Sequence, residues 1–193
     1  MKRLIAITGG IGSGKSVVSR ILRILGYPVY DCDSRAKALM DADCEIKRRL
    51  IEEIDESAVA DGIIDRRRIA AIVFEDAEKL SVLNAIVHGA VKDDIARWVG
   101  EQDSDFTFVE TAILYESGLN TMVDAEWRVE SPLELRIDRT MRRNNLSRAQ
   151  VESRIAAQRI EAPADAPPLR MFTILNDEKN ALLPQIEELI GTI

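Results

Sequence analysis

Eight consecutive residues, Gly9-Gly10-Ile11-Gly12-Ser13-Gly14-Lys15-Ser16, restrict this chain more than any other feature. They satisfy G-x-x-x-x-G-K-[ST], a pattern that needs a strand before it and a helix after it. Both are legible. Leu4–Ile7 is a short, branched apolar run ended by glycine, which suits a buried parallel strand. Beyond Ser16, the residues Val17, Val18, Ile21, Leu22, Ile24 and Leu25 recur at helical spacing, and Gly26 with Pro28 supplies a stop. Glycines let the turn curl until several N–H groups point at one phosphate. The following helix adds the positive end of its dipole. Lys15 can reach β- and γ-phosphates, and the Ser16 hydroxyl suits Mg²⁺, which keeps several waters and takes few protein ligands. The loop predicts nucleoside triphosphate binding and leaves the reaction open, because many activities share it.

The remaining pattern predicts an α/β fold. Val29-Tyr30 reads as a second strand ending at Asp31-Cys32-Asp33. Phe106–Glu110, Ala125–Glu130 and Phe172–Leu175 read as further strands. No strong strand is legible from Ser34 to about Gly100. Helices are expected there over 35–40, 45–54, 66–74 and 76–98, punctuated at Asp61-Gly62. Two more helices fit Leu133–Arg143 and Ser147–Gln158, broken at Asn144-Asn145. A proline- and alanine-rich connection, Ala162 to Pro168, follows, and the last helix is expected over Glu178–Ile190. The organisation is one domain: a nucleotide-binding core of residues 1–33, 101–131 and 169–193, a helical region 34–100, and an arginine-rich helix pair 132–160.

Composition narrows the function class. The 193 residues carry 26 basic and 33 acidic side chains, a net charge of −7, which argues against a nucleic-acid binder or a polybasic membrane binder. Hydrophobic residues make up 46%, enough for a real core. Cys32 and Cys44 do not make a secreted disulfide framework. No apolar run approaches a membrane span. The opening Met1–Ile7 briefly resembles a signal peptide, but Thr8-Gly9-Gly10 stops it too early, so a cytoplasmic protein is expected. The single histidine, His88, makes a multi-histidine metal site or a Ser-His-Asp triad hard to build. A lone histidine is more often packed or capping than catalytic.

Several acids and bases are candidates for chemistry. Asp31 and Asp33 follow the second strand, on the edge where open α/β sheets hold ligands. A carboxylate there can accept a substrate hydroxyl proton, or Asp33 can cap the helix that follows. Glu110 ends a strand and can support Mg²⁺; it and Glu116 can equally be solvated surface acids. Ile113-Leu114-Tyr115 suits either core or a substrate wall. Cys32 suits a small packed position. Residues 136–159 hold seven arginines against Asp138 and Glu152, so the most basic segment hides inside an acidic total. At about 100° per residue, Arg136, Arg139 and Arg143 share an arc of roughly 60° while Arg142 points elsewhere. Such a face suits a triphosphate whose charge moves during transfer, with the helix pair closing as a lid, or it is a solvated basic face.

Thr8 through Ser16, followed by Asp31-Cys32-Asp33, resembles the dephospho-CoA kinase family, which has a nearly identical loop and then Asp-Ala-Asp. The resemblance runs over essentially the whole chain. Leu83 to His88 is similar to a leucine-rich run ending in His-Pro, and Ala112 to Glu116 is similar to Pro-Leu-Leu-Phe-Glu. Arg139, Arg143 and Gln158 fall where the family's lid segment has Arg, Arg and Gln. Departures are Cys32, Gly89, Glu110, Ala112, Arg136 (for glutamine) and Met171. The resemblance implies a P-loop NTPase three-layer core with a parallel sheet, a helical substrate-binding region and a helical lid. It implies transfer of the ATP γ-phosphoryl to the ribose 3′-hydroxyl of dephospho-CoA, with Asp33 as base and Lys15 and Arg139 stabilising the moving charge. ATP would be held by Gly10, Ile11, Gly12, Ser13, Gly14, Lys15, Ser16, Val17, Arg143 and Asn176. Dephospho-CoA would meet Thr8, Asp33, His88, Leu114 and Glu116, and Mg²⁺ would meet Ser16 and Glu110. Expected partners are ATP and dephospho-CoA, without nucleic acid or membrane, in a monomer or weak homo-oligomer. Other readings are another P-loop small-molecule or nucleoside monophosphate kinase, or a non-catalytic nucleotide switch.

Overall fold

A computed structural model describes residues 2–192. In chain order, β1 (Arg3–Thr8) leads through the glycine loop into α1 (Lys15–Ile24) and β2 (Val29–Asp31). A helical stretch follows: α2 (Cys32–Ala42), α3 (Cys44–Glu53), the short strands β3 (Val59–Ala60) and β4 (Ile63–Ile64), α4 (Arg66–Glu75) and α5 (Ala77–Glu101). Then come β5 (Phe106–Glu110), β6 (Ala125–Glu130), α6 (Leu133–Asn144), α7 (Arg148–Ala157), β7 (Arg170–Leu175) and α8 (Leu182–Thr192). The chain divides into two compact units, residues 1–30 with 102–193, and residues 31–101.

The first unit is built on a five-stranded sheet in the order β2-β5-β1-β6-β7. β1 pairs in parallel with β5 on one side and with β6 on the other, and β7 extends the sheet in parallel beyond β6. Strands covered on both faces must be apolar throughout, which explains the continuous Leu4–Ile7 run. Ile5, Ile7, Phe108 and Trp127 are all but fully buried, and Val18 and Leu22 of α1 and Ile186 of α8 pack with them. The rings of Phe108 and Trp127 lie 5.0 Å apart and tilted, and Tyr27 meets Phe108 edge-on at 5.7 Å. Because β1 is central, its carboxyl end places Thr8 and the glycine loop in the middle of one sheet edge, with Ile7 in register with Glu110 and Thr8 with Arg128.

The second unit packs Ile46, Leu50, Ile54, Ile69 and Ile86 into its own core. Two expectations change here. Residues 59–64 form an antiparallel hairpin, Val59 facing Ile64 and Ala60 facing Ile63, where the sequence shows no strand. Asp61 and Gly62 both take positive φ, 51° and 74°, the backbone that a two-residue Asp-Gly turn requires. Strands of two residues are too short to show alternation. Second, Asp31, not Asp33, caps α2: its carboxylate accepts from the Ser34 amide at 3.0 Å and the Ser34 hydroxyl at 2.8 Å. In the first unit, α8 begins at Leu182 rather than at Glu178. Asp177 accepts the Lys179 and Asn180 amides at 3.0 and 2.9 Å, and this local turn, with Glu178 at φ 67°, holds the chain out of the helix.

Capping supplies a stability test within the second unit. Asp43 accepts the Glu45 and Ile46 amides at 2.7 and 3.2 Å and starts α3. Asp43→Ala is expected to destabilise the protein by about 1 kcal/mol, read as a lowered urea midpoint at unchanged slope. An unchanged midpoint would remove the cap's contribution.

Candidate active site

The loop curls as its glycines predict. Gly12 and Gly14 hold φ of 78° and 102°, a region closed to most side chains, and each is also crowded. A Cβ on Gly12 would strike the Arg136 carbonyl, and one on Gly14 would strike the Asn176 amide nitrogen. Neighbouring elements therefore close directly onto the loop. The Lys15 ammonium folds back onto the carbonyls of Gly9 and Gly10 at 2.9 and 3.4 Å. The Ile11 amide donates to the Gln158 side chain at 2.8 Å, and Gln158 in turn donates to the Ala112 carbonyl at 3.4 Å. Asn176 donates to the Ser13 carbonyl at 2.7 Å, and its own amide donates to the Glu130 carbonyl at 2.8 Å. The expected loop residues Gly10, Ile11, Ser13, Lys15 and Asn176 are thus brought together, and Val17 sits exposed on the first turn of α1.

Ser16 and Glu110 also meet. The Ser16 hydroxyl donates to the Glu110 carboxylate at 2.7 Å. A hydroxyl and a carboxylate side by side at the start of α1 are hard oxygen donors of the kind Mg²⁺ prefers. Glu116 is exposed, and with Tyr115, Gln158, Arg159 and Ile160 it lines a cavity of about 570 Å³. Leu114 is 3% exposed, and its carbonyl accepts the Leu119 amide at 3.1 Å.

A buried polar network lies under the loop, and the sequence reading missed it. Glu126 is fully buried in β6. It accepts from the Thr8 hydroxyl at 2.6 Å, the Tyr115 hydroxyl at 2.7 Å and the Arg128 guanidinium at 2.9 Å. Arg128 continues outward to Glu161 at 3.0 Å and to the Ile160 carbonyl at 3.4 Å. Burial, then the hydrogen bond to Glu126, pushes the Tyr115 hydroxyl up to about 12, so it stays a donor at neutral pH. Burial opposes the charge on Arg128, but Glu126 and Glu161 outweigh it and hold the guanidinium above its usual value. The Thr8 hydroxyl, expected at a substrate, is committed to this network. A partial signal was available: Glu126 and Arg128 stand two apart in a strand that alternates apolar and charged residues, and side chains at that spacing share a face.

The three arginines on the shared arc of α6 separate by partner. Arg139 donates to Ser131 at 3.0 Å, to the Asn176 carbonyl at 3.3 Å and to Glu178 at 3.0 Å. Arg143 is exposed and, among the described residues, reaches only the neighbouring Asn144 side chain at 3.3 Å. Arg136 lies against Gly10, with its Nε donating to the Ile11 carbonyl at 3.0 Å. Two further expected site residues belong to the second unit. Asp33 is exposed in the first turn of α2, and His88 is half-buried within α5. Gly89 does not interrupt α5, which runs unbroken from Ala77 to Glu101.

A family model described as dephospho-CoA kinase matches residues 3–167. The chain belongs to the dephospho-CoA kinase family. A dephospho-CoA kinase from Porphyromonas gingivalis is 42% identical over 192 residues, covering 98% of this chain and 93% of that protein. One from Thermus thermophilus is 36% identical over 194 residues, covering 97% and 92%. A crystal structure from Thermus thermophilus matches with a TM-score of 0.74 at 32% identity, covering 99% of this chain and 95% of the other. A shikimate kinase from Acinetobacter baumannii, at a TM-score of 0.52 and 15% identity, shares the fold alone. As a dephospho-CoA kinase family member the chain is a phosphotransferase with a P-loop α/β fold.

Proposed function

We propose that this chain transfers the γ-phosphoryl group of ATP to the ribose 3′-hydroxyl of dephospho-CoA, giving coenzyme A and ADP. The observation that carries the reading is the complete loop, with Lys15 folded over Gly9 and Gly10 and Ser16 bonded to Glu110, in a chain that matches the family over nearly its whole length. The loop amides and the N-terminus of α1 would cradle phosphate oxygens. Lys15 and Arg139 would stabilise the charge that builds during transfer, with Arg143 and Asn176 at the nucleotide. Asp33 would hold the acceptor hydroxyl and take its proton. His88 and Glu116 are the remaining proposed acceptor contacts; Thr8 and Leu114, both buried, would support the site from beneath, Thr8 through its bond to Glu126. Ser16 and Glu110 would hold Mg²⁺, whose charge, when bound, neutralises the phosphates. Cys32 and Cys44 are free thiols, which fits a reducing, cytoplasmic setting.

The test is ADP formation with dephospho-CoA, AMP, pantetheine or shikimate as acceptor. Stimulation by dephospho-CoA alone is expected. Stimulation by another acceptor instead would assign a different P-loop kinase, and ATP binding without acceptor-dependent turnover would make the chain a nucleotide switch.

A further inference from the structure

We infer that Arg136 is the side chain that receives the terminal phosphate of the nucleotide at the Gly9–Ser16 loop. The inference rests on the phosphate-loop reading above and adds to it a specific contact.

Arg136 is pinned on the loop at one end and unsatisfied at the other. Its Nε donates to the Ile11 carbonyl at 3.0 Å. Its Nη2 lies where a Cβ on Gly10 would have to go, so Gly10 is also what admits the guanidinium. That Nη2 is buried and has no hydrogen-bond partner among the described residues. The Ser13 hydroxyl is buried and unpartnered in the same sense. Both residues line one cavity of about 250 Å³, walled also by Arg128 and Ser131 and by two acidic residues, Glu130 and Glu161. Two residues that line one small polar cavity on a phosphate loop thus each carry a buried polar atom without a partner, and both atoms would be satisfied by a ligand rich in acceptors. A phosphate offers them and also matches a guanidinium's charge and planar fork.

The carboxylates nearby do not fill that role. Glu161 is bonded to Arg128, and Glu130 has its side chain exposed. Burial pulls the Arg136 guanidinium below its usual pKa, the mark of a charge desolvated without compensation. Its two helical neighbours differ. Arg139 is bonded to Ser131, Asn176 and Glu178, and Arg143 is in water. The position along the triphosphate follows from Lys15, the residue that reaches β- and γ-phosphates in such loops. Its ammonium lies at the carbonyls of Gly9 and Gly10, and Arg136 meets the same Gly10. The two cations therefore converge on the far end of the triphosphate, and Arg136 distinguishes a triphosphate from a diphosphate.

Calorimetric titration of the intact protein with ATP and with ADP tests this. Arg136→Gln is expected to weaken ATP binding about tenfold or more while ADP binding moves less than about twofold. The thermal midpoint without nucleotide should hold or rise, since the variant removes an unsatisfied buried charge. Arg136→Lys keeps the charge and loses the fork, so an ATP-selective loss of intermediate size is expected; it carries the comparison if the glutamine variant does not fold. Equal weakening of ATP and ADP, or no weakening of ATP, would overturn the assignment while leaving the phosphate-loop reading in place. An unaltered protein that binds neither nucleotide would overturn both.

Discussion

Asp33→Asn is expected to lower turnover at least about 10²-fold while ATP affinity stays near that of the unaltered protein, the pattern for loss of a positioned base. The structure makes this a clean substitution. Asp33 is exposed, and the cap of α2 is made by Asp31, so exchanging the Asp33 carboxylate for an amide leaves the Ser34 contacts intact. Asp33 lies in the first turn of α2, where a negative charge gains a few tenths to about 1 kcal/mol from the helix dipole, so the cost to folding is small. The measurement is acceptor-dependent ADP release beside ATP titration. Near-normal turnover would remove Asp33 from the chemistry. An equal fall in ATP affinity would move its role to the nucleotide.

Arg128→Met is expected to cost about 3–5 kcal/mol of folding stability, the loss seen when a buried ion pair is left half-made. Arg128 is the only cation bonded to the fully buried Glu126 among the described residues, and methionine fills its stem without its charge. Glu126→Gln/Arg128→Met removes both charges; the glutamine keeps one acceptor oxygen for a hydroxyl, and its NH2 can donate to the other hydroxyl, since Thr8 and Tyr115 face different carboxylate oxygens. That pair should recover most of the loss, because buried ion pairs gain little over neutral replacements. Urea unfolding of the three proteins at constant slope decides it. A single-variant cost below about 1 kcal/mol would show that water reaches Glu126 and that the pair is not closed.

What the sequence made legible follows a physical division. The loop, β5 and β6 were readable because each is local: glycine spacing, a short apolar run or an apolar–charged alternation fixes the element without distant partners. The Asp61-Gly62 hairpin escaped because its strands of two residues carry no period. The start of α8 escaped because Asp177 competes with the helix for the next amides. At the site, Lys15, Ser16 and Glu110 came from a motif and a strand end. Arg136, Arg139 and Arg143 could not be ranked from a helical wheel, since the wheel puts all three on one arc. Only the loop and strands packed against α6 give them different partners. Glu126 was readable in principle, as a carboxylate two residues from an arginine inside a buried strand. Its bonds to Thr8 and Tyr115 join residues 118 and 11 positions apart, which no local pattern reports.

The Ile11 amide, held by Gln158, gives the loop an exchange chemistry. A phosphate oxygen bound at that N–H would not fill an open donor; it would have to replace a neutral amide oxygen. The gain at that point is the difference between a charge-assisted bond and an ordinary one, about a factor of two in strength, not the whole of either. The same Gln158 side chain borders the 570 Å³ cavity beside Tyr115 and Glu116. One side chain therefore serves both as a bond partner of the loop and as part of the wall of a second space, so any exchange of acceptors at Ile11 would be felt in that wall.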